Sequence, residues 1–246
     1  MKLSKALFLI VPILILLLVM GCQKAPQETP LQMSLDQCTK ATAASKEMLL
    51  RSVNLCFENV SLKFNSSLGC DRMIDINSRD SCYVKVATAS GKIGVCSNVT
   101  QAIRRDLCYN GANFKKQDIA VCSQIINSSI KDQCYSQYGA AKSDLSACEL
   151  VNTINLKDSC YDSVGRAEQD VSVCGRIAVQ ITKDGCLSSV GIEKQDVSVC
   201  GSILTPQDKN YCYTIVAFRM NDASVCNNIQ DTQARESCSS KIAKPQ

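Results

Sequence analysis

Cysteine is the residue with the most chemistry to offer in this chain, and it occurs seventeen times. A thiol can serve as a nucleophile, a metal ligand, a redox couple or half of a cystine, and spacing decides among these. From Cys70 to Cys238 the intervals alternate strictly between twelve and fourteen residues, a period of twenty-six. Seven copies begin at Cys70, Cys96, Cys122, Cys148, Cys174, Cys200 and Cys226. Their second cysteines are Cys82, Cys108, Cys134, Cys160, Cys186, Cys212 and Cys238. Structural zinc sites usually hold cysteine pairs two to four residues apart, so these intervals do not suit a metal. Histidine is absent, which removes Ser-His-Asp and Cys-His catalysis and every His-containing zinc site. Cystine remains, and so many cysteines point to an exported, oxidised protein.

A fixed period in this range is the mark of a stacked-repeat architecture. Four residues before the first cysteine stand Asp118, Asp144, Asp170, Asp196 and Asp222, N-cap candidates that open a first helix. Three residues after that cysteine the chain is always apolar, from Met73 and Val99 to Ile203 and Ile229, which predicts an inward face. A second set of caps lies seven residues before the second cysteine, at Asp75, Asn127, Thr153, Thr205 and Asp231. Pro206 after Thr205 suits the first position of a second helix, where its missing N–H costs nothing. Three residues before the second cysteine stands a base in every copy, then an acid in all but one, with Asn210 the exception. The cysteine itself is followed in five copies by tyrosine. Gly139, Gly165 and Gly191 are expected to close the second helix as left-handed C-caps. The period leaves room for about two turns in the first helix and about three in the second.

Antiparallel helices of this length bring the two cysteines of one copy within bridging reach. Bridges from each second cysteine to the next copy are sterically reasonable too. Parity separates the schemes: without Cys22, pairing within copies uses all sixteen cysteines, whereas the other scheme strands Cys38 and Cys238. The expected bridges are Cys38–Cys56, Cys70–Cys82, Cys96–Cys108, Cys122–Cys134, Cys148–Cys160, Cys174–Cys186, Cys200–Cys212 and Cys226–Cys238, although spacing alone does not fix connectivity. The fold class is therefore all-α, a disulfide-stapled array of helical hairpins. In overall design it resembles short-repeat solenoids such as the TPR and Sel1-like families, but the period and the cysteines differ, so their partners do not carry over.

Met1 to Lys5 is basic, Ala6 to Met20 is apolar throughout, and Val19-Met20-Gly21-Cys22 follows. This run resembles the lipobox of prokaryotic lipoproteins. The resemblance implies a leader at residues 1–21, with Cys22 as lipid acceptor and new N-terminus. An apolar run of fifteen is short of the roughly 20 residues needed to span a bilayer. Residues 22–33, with Pro26 and Pro30, are expected to be a flexible tether. Residues 34–69 form an irregular capping copy, its cysteines eighteen apart, with an insertion expected to lengthen its first helix. Residues 70–246 hold the seven regular copies, the last of them a cap.

Two function classes fit. The first is a non-catalytic scaffold, membrane-anchored outside the cytoplasm, that presents a repeat surface to a protein, peptide or glycan. The second is an envelope redox or hydrolytic enzyme built from repeat-breaking residues such as Lys115, Lys116, Tyr138, Arg166 and Arg219. The recurring Asp-x-Cys-Tyr is expected to be structural, because an array needs the same packing in every copy. No cofactor or metal is expected. Beyond Lys2 and Lys5 of the leader the chain holds 25 basic residues (27 less 2) against 23 acidic ones, a balance that argues against nucleic acid as a partner. Sequons stand at Asn59, Asn65, Asn98 and Asn127; Asn127 is better explained as a helix cap.

Overall fold

The computed structural model describes residues 29–41 and 48–242, so the leader and Cys22 lie outside the described residues. These residues are helical and contain no strand. Helices α1 (Pro30–Ala41) and α2 (Met48–Lys63) make the irregular first hairpin. Seven hairpins of one short and one long helix follow: α3 (Leu68–Asp71) with α4 (Ile76–Ser90), 3-10 helix η1 (Ile93–Asn98) with α5 (Ala102–Lys116), α6 (Ile119–Ser123) with α7 (Ser128–Lys142), α8 (Leu145–Glu149) with α9 (Ile154–Ala167), α10 (Val171–Gly175) with α11 (Gln180–Lys194), α12 (Val197–Gly201) with α13 (Pro206–Met220), and η2 (Ala223–Asn228) with α14 (Thr232–Ile242). Each cystine ties the short helix to the long one of the same hairpin, with Cα atoms 5.5–5.8 Å apart. The apolar column after the first cysteine is buried throughout, from Met73 to Ile229.

Helix lengths depart from expectation. The short helices of the regular hairpins span four to six residues, little more than one turn, and the long ones other than α14 span fourteen or fifteen, about four turns. The short helix starts where Asp144, Asp170 or Asp196 accepts the N–H two residues on. It stops early because the N–H of the apolar residue bonds back to the cysteine carbonyl in a tight i→i+3 turn, as Ile177 does to Cys174 at 3.2 Å. In the first hairpin α1 reaches twelve residues, eight of them before Cys38, so most of its extra length lies outside the interval from Cys38 to Cys56 where the insertion falls. It begins at Pro30, inside the stretch assigned to the tether, because the Thr29 hydroxyl accepts the Gln32 N–H and proline suits the first helical position.

The long helices end elsewhere than expected. Gly139, Gly165 and Gly191 lie inside them, and the left-handed residues come four positions later, at Gln117, Ser143, Gln195 and Asn221 among others. After Ser143, Gln195 and Asn221 the following aspartate N–H bonds back to the carbonyl five residues earlier, as Asp196 does to Gly191 at 2.9 Å, a Schellman closure, whereas the Asp118 N–H donates to the Asn113 side-chain oxygen. The glycines serve the next hairpin instead. A Cβ on Gly139 would stand 2.6 Å from Cys160 Sγ and 3.0 Å from Cys148 Sγ, and one on Gly165 would meet the Cys174–Cys186 cystine in the same way. The cystines Cys148–Cys160, Cys174–Cys186 and Cys200–Cys212 thus pack against the bare backbone of the preceding long helix, whereas the Asn113 amide donates to the sulfurs of Cys122 and Cys134. Gly139→Ala is expected to lower stability by about 1–3 kcal/mol through overpacking, despite the better helix propensity of alanine. Chemical denaturation of the oxidised protein beside Gly175→Ala, where a Cβ meets nothing, would check it; equal midpoints would refute the packing account.

Successive hairpins are locked by the acidic column. Asp80, Asp106, Asp132, Asp158 and Asp184 are at most 3% exposed, and each reaches the turn between the short and long helices of the next hairpin. Asp184 accepts the Leu204 N–H at 3.1 Å, the Thr205 N–H at 2.8 Å and the Thr205 hydroxyl at 2.6 Å. Asp158 accepts the N–H groups of Ala178 and Val179 at 2.9 and 2.7 Å, and Asp80 accepts those of Thr100 and Gln101. Burial pushes the carboxyls of Asp80, Asp132 and Asp184 up, but the donors aimed at them outweigh it and hold all three below the ordinary carboxylate range. Thr153 and Thr205, predicted as caps of their own helices, give their hydroxyls to this lock instead.

Candidate binding groove

The residue just before the second cysteine of each long helix is exposed or half-buried. In most hairpins that residue is small or polar, as in Ser81, Gln133, Ser159, Gly185 and Ser237, and in one it is Tyr211. In two of the first three hairpins it is Leu55 and Leu107. There α2, α4 and α5 enclose an open groove of about 800 Å³. Its apolar lining is Leu55, Leu107, Val84 and Met73, and its charged lining is Arg51, Glu58, Lys85 and Arg104. Leu55 and Leu107 are 56% and 46% exposed.

The walls are cross-stitched. Lys85 Nζ stands 2.6 Å from Glu58 Oε1 and joins α4 to α2. The Arg104 guanidinium donates to the Asn77 carbonyl at 3.0 Å, and the Gln101 amide donates to Asn77 Oδ1 at 2.7 Å, joining α5 to α4. With Glu58 balanced by Lys85, the charge facing the groove is that of the two arginines. The lining therefore suits an occupant with apolar side chains and carboxylates: Leu55 and Leu107 supply transferable apolar surface, and guanidinium forks match carboxylates. Sequence reasoning missed this site. The signal for it was the leucine at two positions of a column that is otherwise mostly small or polar.

The other candidates fall apart spatially. In Asp-x-Cys-Tyr the acid and the phenol face different neighbours: Asp80 serves the next hairpin, whereas the Tyr83 hydroxyl donates to Asp71 of its own. Burial, then the Asp71 hydrogen bond and charge, push the Tyr83 phenol up to about 12, which disfavours a phenolate nucleophile. Lys115 donates to the Ala89 carbonyl, Arg166 pairs with Asp162, Arg219 pairs with Glu193, and Tyr138 is half-buried beside Phe114 and Gln137. Those four contacts, like exposed Lys116, belong to separate stretches of the array and form no common site. Among the described residues no group of three or more Cys, Asp or Glu is placed to hold a metal ion. Asn59, Asn65 and Asn98 are exposed, and the Asn127 side chain caps its helix by accepting the Ile130 N–H.

Sixteen oxidised cysteines place the folded chain in an oxidising, extracytoplasmic compartment. Among the described residues no helix is long and apolar enough to cross a membrane. No family model, curated protein or solved structure matches the chain.

Proposed function

We propose that this chain is a lipoprotein, anchored through Cys22 on the outer side of a membrane, whose stapled array is a non-catalytic scaffold that holds a partner in the groove between α2, α4 and α5. The observation that carries the reading is the one departure from the repeat that gathers into a cleft: Leu55 and Leu107 beside Arg51 and Arg104. The partner is a protein or peptide segment that presents apolar side chains next to acidic ones. The redox or hydrolytic alternative gains no support from the geometry, since the repeat-breaking residues do not converge.

Two measurements test the parts separately. The mass of the N-terminal peptide from native membranes is expected to show acylated Cys22, and Cys22→Ser is expected to release the chain from the membrane; an unmodified Cys22 refutes the anchor. For the groove, partners retained from envelope extracts by the wild-type chain are expected to be lost with Leu55→Glu/Leu107→Glu. Both leucines are already solvent-facing, so the fold tolerates the change, and the affinity loss is expected to be about a hundredfold, the scale of removing a central apolar contact. Equal retention by the double variant overturns the site.

A further inference from the structure

The two long edges of the array differ in chemistry. One is built by the loops that leave the long helices, where the left-handed residues are Asn, Gln, Ser and Gly. The other is built by the turns from short to long helix together with the first residues of the long helices, and there six successive hairpins each expose an aliphatic side chain, Ile74, Ile126 and Leu204 in the turns and Ile103, Ile154 and Ile181 at the start of α5, α9 and α11, all between 60% and 86% accessible. A lone exposed isoleucine is ordinary, but one in every hairpin along a single edge is not. The edge is continuous, because the buried aspartates bind each turn to the preceding hairpin, at Ile126 through Asp106 and at Leu204 through Asp184. Phe114 and Phe218, exposed toward the opposite edge, stand four hairpins apart and make no row.

Cations accompany the row. Arg79, Arg105, Lys131, Lys157, Lys183 and Lys209 stand one turn inside the long helices, half-buried, and none forms a salt bridge among the described residues. Helical side chains lean toward the helix N-terminus, here toward the aliphatic edge. Arg235, in the same column of the last hairpin, does this visibly: its guanidinium donates to the Ile229 carbonyl of the turn at 2.9 Å. The acids of the edge are mostly engaged. The Asp80 to Asp184 series is buried, and Asp75 and Asp231 each bind a helix N–H at 2.7 Å.

We propose that this edge docks on an anionic lipid surface, with the aliphatic tips at the headgroup–acyl boundary and the basic column on the lipid phosphates. One exposed aliphatic side chain recurs per hairpin, at a position that shifts between the turn and the first two residues of the long helix, without an aromatic anchor. A laterally uniform bilayer satisfies six such contacts at once, whereas a protein would have to repeat at the same spacing. The inference draws on the proposed lipid at Cys22 for proximity, since the eight residues from Cys22 to Pro30 reach about 28 Å at most.

The test uses the oxidised chain without its leader, residues 1–21, and carrying Cys22→Ser, so that neither an acyl chain nor the apolar leader contributes, with vesicles of phosphatidylcholine alone or mixed with phosphatidylglycerol. Flotation is expected to show binding to the mixed vesicles, weakened by salt. Ile126→Gln/Ile181→Gln/Leu204→Gln is expected to lower it about tenfold or more, with an unchanged far-UV circular dichroism spectrum. No binding to the mixed vesicles, or equal binding by the folded triple variant, overturns the proposal. So does protection of the same residues by a purified envelope protein when vesicles do not bind. The mass of the native N-terminal peptide reports on the anchor independently: vesicle binding by a chain that proves unacylated in the cell sinks the anchor and leaves the edge standing.

Discussion

Full reduction of the eight cystines unfolds the chain. Helices of four to six residues have no stability of their own, and each hairpin buries only a thin strip of apolar surface, built largely from the cystine and the residues that touch it. Closing a loop of about a dozen residues removes unfolded-state entropy worth roughly 3 kcal/mol in the chain-entropy model. Eight such contributions exceed the about 5–15 kcal/mol by which a folded domain is ordinarily stable. Far-UV circular dichroism after reduction and alkylation is expected to show loss of most helical signal, with recovery on reoxidation if the thiols are left unblocked. Retention of the helical spectrum by the fully alkylated chain would show that stacking alone suffices, and the account of the core given above would be wrong.

The second large effect is expected from Asp184→Ala. The substitution removes the acceptor of the Leu204 and Thr205 N–H groups and the Thr205 hydroxyl, and each hydrogen bond to a charged group is worth about 1.5–3 kcal/mol. A loss of roughly 3–5 kcal/mol follows, felt first at the junction between the hairpins of α11 and α13 because repeat arrays are coupled to nearest neighbours. Hydrogen exchange is the discriminating measurement: amides of α12 and α13 should exchange faster while those of α4 and α5 stay as protected as before. Exposed Glu168→Ala serves as the control. Uniform loss of protection along the chain would contradict a local lock. The same column sets the acid response. Since the folded values of Asp80, Asp132 and Asp184 are depressed, their contribution is fully present above the unfolded carboxylate range near about 4 and is lost as pH falls through the depressed values.

The period, the hairpins and the aspartate caps of the short helices were legible in the sequence because each rests on local chemistry that recurs, the cysteines in seven regular copies and the caps in five. What stayed hidden depends on neighbours about twenty residues away. Asp184 looked like a charge suited to its own helix, yet its partners are Leu204 and Thr205 of the next hairpin. Gly139 looked like a helix terminator, and only the position of Cys160 shows why a side chain is unwelcome there. Gln195 carries no mark of the left-handed conformation it adopts. The groove was faintly legible, through Leu55 and Leu107, but nothing in the linear order says that α2, α4 and α5 open toward one another.

The placement of the cystines also governs how the chain bears load. Pulled at its two ends, each regular hairpin transmits tension across its sulfur bridge, so the eleven residues between bridged cysteines, twelve positions apart, are bypassed and span only the 5.5–5.8 Å between their Cα atoms. At about 3.5 Å of extended contour per residue, roughly two-fifths of the available length is withheld from stretching. Such a chain lengthens less under load than an unbridged array of the same number of residues.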